Sequence, residues 1–215
     1  MPKVADPAVR VALIEAAARI TAEEGRDALT LRRLAAEVGA STMAVYTHFG
    51  GMTELRRAVR REGFARLAAH LARVDDTDDP VADVIALGAA YYRMALANPH
   101  LYRAMFMDGK VDDEDAHVGL ETYQPLLRGV GRCLDAGRFS PATPHELARQ
   151  VWATLHGFVS LHIAGMIAPR DAAEGLESAT RSFLVAFGDT PEAAEASLRR
   201  GRERGLASGE GASAR

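Results

Sequence analysis

Residues 30–49 read TLRRLAAEVGASTMAVYTHF, and this stretch decides the fold of the N-terminal part of the chain. Thr30 can cap a helix whose apolar residues recur at helical spacing, and Gly39 can end that helix in a tight left-handed turn. Ser41 or Thr42 can cap a second helix. Two short helices joined by a glycine turn predict a helix-turn-helix and make double-stranded DNA the first partner to consider. The alternative is an ordinary helical hairpin.

The second of these helices carries side chains that suit a major groove. Only Val45 and Phe49, four residues apart, must face inward. The other residues from position 42 to 48 are small, hydroxylic or aromatic, so they can approach bases closely or bond phosphate oxygens. No carboxylate lies between positions 40 and 53, so nothing there repels phosphate.

The composition predicts a globular, all-helical protein. Of the 215 residues, 48% are hydrophobic and 6% aromatic, and alternating strand patterns are scarce. No apolar span is long enough for a transmembrane helix, so no membrane contact is expected. The N-terminus lacks the layout of a signal peptide and the lone Cys133 has no disulfide partner, which together predict a cytoplasmic protein. Cys133 itself is expected to be a small buried residue late in a helix.

Charge is unevenly placed along the chain, whose net charge is −3. Residues 1–60 carry nine Lys and Arg against seven Asp and Glu, whereas the remainder is acidic. This asymmetry fits a basic DNA-binding domain joined to an acidic body.

Capping and breaking signals divide the chain into about nine helices. We expect a helix before Gly25, the helix-turn-helix, a long helix at 52–74, and further helices at 80–98, 99–107, 116–136, 144–167 and 171–187. Pro125 should kink or split one of them, and 108–115 should form an acidic loop. The predicted domains are a DNA-binding domain at 1–58, a linking helix at 52–74, an effector-binding and dimerisation domain at 75–188, and a flexible tail at 189–215.

The helix at 144–167 has two apolar faces, which require two partners for burial. The helix at 171–187 supplies part of that burial, and a second subunit is the expected source of the rest. The alternative is a core helix buried wholly within one chain. The residues expected at a homodimer interface are Leu147, Val151, Phe158, Leu161, Leu176, Phe183 and Phe187.

Several motifs resemble the TetR family of bacterial transcriptional regulators. They are AARITAEEG at 17–25, LTLRRLAAEVGAS at 29–41 and VYTHF at 45–49, within a match that covers about Val9 to Leu67. WATLHG at 152–157 and NPHLY at 98–102 are similar to a TetR-type ligand domain often identified by a Trp-His-Gly motif.

The resemblance implies an all-helical homodimer in which the last two helices of each subunit form a four-helix interface. It implies that small molecules bind inside the C-terminal domain and move the fourth helix. By position, Tyr46, His48 and Thr30 match family residues that contact phosphates, and Thr42, Met43, Ala44 and Thr47 match positions that can read bases. The complete predicted DNA-binding set adds Arg32, Ser41, Thr53 and Arg56.

One position departs from the family pattern. Many members have a lysine near the start of the fourth helix that grips phosphate, whereas this chain has Met52 and Thr53. We therefore expect that contact to be lost or to pass to Arg56.

Aromatic, methionine and histidine side chains of the C-terminal part are the candidates for an effector pocket. They combine apolar area with a few polar tips, as small-molecule sites do, so the expected effector is small and largely apolar. The alternative is that they are ordinary core residues. The set comprises Tyr91, Met94, Tyr102, Met105, Phe106, Tyr123, Trp152 and His156.

The sequence therefore predicts a ligand-responsive repressor that binds a palindromic operator. An activator of the same fold and a helical protein-interaction module are the alternatives. An enzyme is not expected, because the chain has no His-Glu-x-x-His motif, no glycine-rich phosphate loop and no Gly-x-Ser-x-Gly elbow. No cofactor and no metal site are expected.

Overall fold

The structure is a computed structural model that describes residues 6–107, 113–140 and 142–210, without the side chains of 113–116 and 206–210. The described residues form ten α-helices, one more than expected, and a short 3₁₀ turn, with no strand among them. The helices are α1 Pro7–Glu24, α2 Leu31–Val38, α3 Thr42–Phe49, α4 Met52–Leu71, α5 Pro80–Ala97, α6 Pro99–Phe106, α7 Asp113–Asp135, α8 Pro144–Ile163, α9 Pro169–Ala186 and α10 Pro191–Glu210. The all-helical prediction is confirmed.

Most predicted helices appear within a few residues of their expected bounds. The 3₁₀ turn Arg26–Ala28 separates α1 from α2. Helix α7 continues through Pro125, so the predicted split at that residue does not occur. The expected acidic loop at 108–115 lies mostly outside the described residues, as do residues 1–5 and 211–215. None of the helices in the described ranges is long and apolar enough to cross a membrane.

The chain divides into two compact units. The first comprises Met1–Arg66 and Asn98–Leu120, and the second comprises Leu67–Ala97 and Glu121–Arg215. This division differs from the predicted boundary near residue 75, which assigned α6 to the C-terminal domain. Helix α6 belongs to the first unit because Leu101 and Ala104 are buried in its core.

A single apolar core holds the helix-turn-helix in the first unit. It contains Leu13 and Ile20 from α1, Leu34 from α2, and Val45 and Phe49 from α3. Because α1 contributes much of this core, it serves as the platform on which α2 and α3 are fixed.

The core of the second unit draws on five helices, α5 and α7 to α10, and on the segment between α7 and α8. Val81, Val130, Leu147 and Leu184 are among its buried residues. Cys133 is completely buried there, and burial raises the pKa of its thiol to about 12. The prediction that Cys133 is a small buried residue is confirmed.

The flexible tail predicted from residue 189 is wrong, because residues 191–210 form α10. Thr190 accepts a hydrogen bond from the Ala193 N–H at 3.2 Å and so caps this helix. Its buried stripe consists mainly of small residues, which have little apolar area. A Cβ at Gly201 would lie 2.7 Å from Ile85, and the absence of that Cβ permits close packing of α10 on α5.

Two buried carboxylates also link the start of α5 to α10 through hydrogen bonds and ion pairs. Asp79, directly before α5, receives hydrogen bonds from the Ser197 hydroxyl at 2.9 Å and from Arg200 at 2.7 Å. One helical turn on, Asp83 is bound by Arg204 and by Arg132 of α7. These paired charges explain why acidic residues are tolerated at the buried start of α5.

Candidate nucleic-acid interface and effector site

The predicted helix-turn-helix is present in the first unit. The Thr30 hydroxyl accepts from the Arg33 N–H at 3.2 Å and the Ser41 hydroxyl accepts from the Ala44 N–H at 3.1 Å, so each helix has the cap expected from sequence. Gly39 has a φ of +66°, the left-handed turn that ends α2 and that side chains with a Cβ disfavour.

Ion pairs tie α2 to the platform helix α1. Arg33 binds Glu24 at 3.0 Å and also binds Glu37, which in turn binds Arg19. The hydrogen bond from Arg33 lowers the pKa of the Glu37 carboxyl, so this group carries its charge at neutral pH. The carboxylates of Glu24 and Glu37 are therefore both paired with arginines of the same unit.

Helix α3 presents the face that the sequence predicted. Val45 and Phe49 are buried, whereas Thr42, Met43 and Tyr46 are exposed, Met43 by 69% and Tyr46 by 49%. Met43 and Tyr46 lie three residues apart and therefore share one face of α3, where an external partner can contact both.

The hydroxyl groups of the motif differ in what they can still bond. Thr30 and Ser41 accept from backbone N–H groups as caps, so the hydrogen of each hydroxyl remains available to a phosphate oxygen. Thr47 donates to the Met43 carbonyl at 2.9 Å, so its oxygen is left as an acceptor for a donor on a base edge.

The remaining predicted DNA-binding residues differ in how exposed they are to solvent. Arg32 and Thr53 are exposed, whereas Ala44, His48 and Arg56 are partly buried. Arg56 Nε is buried and has no hydrogen-bond partner in the described part of the chain. Its guanidinium is therefore only partly available to an external phosphate.

Four of the predicted effector residues form an aromatic row in the second unit. The Tyr91 hydroxyl and His156 Nδ1 lie 3.0 Å apart. The His156 ring lies 5.6 Å from the Trp152 ring, which lies 6.1 Å from the Tyr123 ring in an edge-to-face contact. Burial lowers the pKa of His156, so the imidazole is neutral at neutral pH. The row offers aromatic area and uncharged polar tips.

The other predicted effector residues do not join this row. Met94 is buried in α5. Tyr102, Met105 and Phe106 belong to the first unit, where the Tyr102 and Phe106 rings lie 5.1 Å apart. Sequence spacing did not reveal this separation, because α6 follows α5 directly in the chain but packs in the other unit.

A second tyrosine–histidine pair was missed by the sequence interpretation. The Tyr92 hydroxyl lies 2.6 Å from His162 Nδ1, again between α5 and α8. Burial raises the pKa of the Tyr92 hydroxyl, which keeps it protonated. The available signals were the repeated Tyr-Tyr at 91–92 and the histidines at 156 and 162, two of the three in α8.

Apolar side chains remain exposed on α8 and α9. Leu161 is 40% exposed and Val185 43% exposed, and Phe158, Leu176, Val151 and Phe183 are partly exposed. The assignment of Leu147 and Phe187 to the dimer interface needs correction, because both are buried in the core of their own chain. The other five members of the predicted set, together with Val185, remain available to a partner.

No group of three or more His, Cys, Asp or Glu side chains arranged to hold a metal ion occurs among the residues that the structure describes.

Two family models match separate parts of the chain. Residues 13–59 match the model described as bacterial regulatory proteins of the tetR family. Residues 84–183 match the model described as the tetracyclin repressor-like C-terminal domain. Together they cover about two thirds of the chain, including the helix-turn-helix and the aromatic row.

The chain is also similar in sequence to a curated regulator and to a protein of solved structure. An HTH-type transcriptional regulator of Mycobacterium tuberculosis, Rv0681, is 29% identical over 162 residues, which cover 74% of this chain and 72% of the relative. A Rhodococcus protein of solved structure and unknown function is 28% identical, with a TM-score of 0.72 over 88% of this chain and all of that one.

The fold alone is shared with RolR, whose crystal structure contains the ligand resorcinol. RolR is 18% identical, with a TM-score of 0.58 over 89% of this chain and 94% of its own. Both family models match at the positions where the structure has the helix-turn-helix and the C-terminal helices. The chain belongs to the TetR family of bacterial transcriptional regulators.

Proposed function

We propose that this protein is a repressor that binds a palindromic operator as a homodimer in the cytoplasm and is released by a small, largely apolar molecule. The DNA-binding part of the proposal rests on the exposed face of α3. Met43 and Tyr46 are exposed on this helix, whereas Val45 and Phe49 are buried in the core of the unit. A symmetric dimer would present two such faces, and two successive major grooves lie about 34–36 Å apart.

The chemistry of that face supports a division of roles. The free hydroxyl hydrogens of Thr30 and Ser41, together with the phenol of Tyr46, suit phosphate oxygens. Met43 and Thr42 are exposed and carry methyl groups that suit contact with a thymine methyl group. Repression is favoured over activation by the match to a repressor-like C-terminal domain.

The DNA-binding proposal is tested by selecting bound duplexes from a random pool and measuring their affinity at several salt concentrations. We expect palindromic sequences to be enriched and the logarithm of affinity to fall steeply with the logarithm of salt concentration. Enrichment of no sequence, together with a flat salt dependence, would favour the protein-interaction module instead.

The aromatic row supports an uncharged aromatic or apolar effector. Tyr91, Tyr123, Trp152 and His156 supply rings for stacking, and the neutral His156 and the Tyr91 hydroxyl supply polar contacts without a net charge. A charged effector would find no opposite charge among these four side chains.

Trp152 gives this proposal a direct readout because it is the single tryptophan of the chain. Compounds that release the protein from its selected operator should also change its tryptophan fluorescence. His156→Gln and Tyr91→Phe should weaken both effects in parallel, while DNA affinity without the compound is retained. Release that leaves the fluorescence unchanged and is insensitive to both substitutions would place the effector elsewhere.

A further inference from the structure

A cavity of about 160 Å³ lies within the first unit, bordered by α1, the 3₁₀ turn, α4 and α6. Four arginines line it, Arg26, Arg56, Arg57 and Arg60, and none of the described residues that line it carries a carboxylate. Small buried apolar side chains form the rest of its wall together with two threonines. Guanidinium groups that converge on a cavity with no carboxylate in its described lining are typical of an anion site.

Two of the four guanidinium groups are engaged with the protein. Arg57 binds Glu54 at 3.0 Å, and Arg60 Nε donates to the Ala104 carbonyl at 3.4 Å. By contrast, neither Arg26 nor Arg56 forms a hydrogen bond or an ion pair with another residue in the described ranges, and Arg56 Nε is also buried. A buried charged donor without an acceptor is costly, and an anion in the cavity would remove that cost.

The neighbouring cavity of the same unit has a different chemistry. It has a volume of about 360 Å³, and Glu54 and Glu62 line it along with arginines. Carboxylates line the larger cavity beside its arginines, whereas the described lining of the smaller cavity contains none. Arg26 and Arg56, which have no hydrogen-bond or ion-pair partner in the described ranges, line the smaller cavity and not the larger one.

The size and polarity of the smaller cavity define its ligand class. Its 160 Å³ far exceeds the roughly 15 Å³ that one water molecule needs but is below the roughly 300 Å³ of typical drug-sized sites. Thr21 and Thr53 can add hydroxyl contacts to those of the arginines. We infer that this cavity binds a small anion carrying a phosphate or diphosphate group, at a site separate from the aromatic row.

The test is calorimetric titration of the full-length protein with pyrophosphate, with inorganic phosphate as competitor and with acetate at equal ionic strength as a control anion. We expect one pyrophosphate bound per chain, competition by phosphate and none by acetate. The Arg26→Ala and Arg56→Ala substitutions should each weaken binding about tenfold or more, as expected for loss of a hydrogen bond between charged groups. Arg170→Ala and Arg199→Ala, which remove exposed arginines from α9 and α10, should leave it unchanged.

Melting curves of each variant establish that it is folded. Absence of pyrophosphate binding by the unmodified protein, or equal loss in the control variants, would overturn the inference. If the unmodified protein binds no pyrophosphate and the Arg26 and Arg56 substitutions weaken binding to duplex DNA, the inference is also overturned. The cavity then accepts a phosphate of the DNA backbone instead of a small anion.

Discussion

At the scale of single residues, Tyr46 bears most directly on DNA binding. Its phenol is 49% exposed on α3 and lies on the same face as Met43. Tyr46→Ala should weaken operator binding about tenfold or more, the value for a hydrogen bond to a charged group, and Tyr46→Phe should lose most of the same affinity. Fluorescence anisotropy with labelled operator measures both, with Tyr92→Phe as a matched control in the other unit. Unchanged affinity of Tyr46→Ala would count strongly against the proposed interface.

The buried carboxylate of Asp83 is expected to make the stability of the protein depend on pH. Burial alone would raise its pKa, but hydrogen bonds from the Thr77 N–H and hydroxyl and from Arg132 and Arg204 outweigh burial and lower it. Because the native pKa is lower than the unfolded one, the stabilisation is present above the unfolded value near 4 and is lost as pH falls through the native value.

The measurement is thermal unfolding of Asp83→Asn across pH. At neutral pH the substitution should lower the free energy of unfolding by about 1.5–3 kcal/mol, since it removes charge-assisted hydrogen bonds from a buried position. The difference from the unmodified protein should shrink below about pH 4. Asp78→Asn, at an exposed position, should show little effect at either pH. A difference that stays constant down to low pH would refute the role of the charge.

At the scale of elements, α10 shows how a helix can escape detection in a sequence. Its buried positions are Ala194, Ser197, Leu198, Gly201 and Gly205, of which only one is a large apolar residue. A search for hydrophobic periodicity detects large apolar side chains at helical spacing. The buried positions of α10 are mostly small, so its sequence resembles that of a polar tail. The contact with α5 depends instead on the absence of side chains, which becomes apparent only once the partner helix is known.

A pair of glycines tests this explanation of α10. Gly201→Ala places a Cβ 2.7 Å from Ile85 and 2.8 Å from the Ala82 carbonyl, so it should destabilise the protein by about 1–3 kcal/mol. Gly131→Ala, in α7, meets nothing within 4 Å and should stabilise by about 0.5–1 kcal/mol through helix propensity. Chemical denaturation measures both. Equal effects of the two substitutions would show that close packing of α10 is unimportant.

At the scale of the whole molecule, the exposed apolar residues of α8 and α9 predict the homodimer. Leu161→Arg combined with Val185→Arg should convert a dimer into a monomer, because charged groups are excluded from the centre of such interfaces. Sedimentation velocity distinguishes the two states. Leu96→Arg, at a similarly exposed leucine of α5, serves as the control and should leave the dimer intact. A double variant that still sediments as a dimer would move the interface to another surface.

The dimer prediction also has a consequence for DNA binding. A monomer has one α3 and can occupy one half-site, so the double variant should bind a palindromic operator much more weakly than the unmodified protein. Its affinity for an isolated half-site should be unaffected. A loss of both affinities would indicate that the substitutions damage the fold rather than the association.

Features that depend on neighbouring residues could be predicted from the sequence. Thr30, Gly39 and Ser41 specified the caps and the turn of the helix-turn-helix, because capping and left-handed φ are properties of single residues and their neighbours. The spacing of Val45 and Phe49 likewise predicted which face of α3 is buried. The all-helical class followed from periodicity along the whole chain.

The contacts between side chains that are distant in sequence became known from the packing of the helices. It assigned α6 to the first unit, buried Leu147 and Phe187, and placed Tyr91 against His156 across 65 positions of sequence. It also brought Arg26 to the same cavity as Arg56. Such contacts depend on how helices pack on one another, and a one-dimensional pattern records the face of a helix but not the identity of its partner.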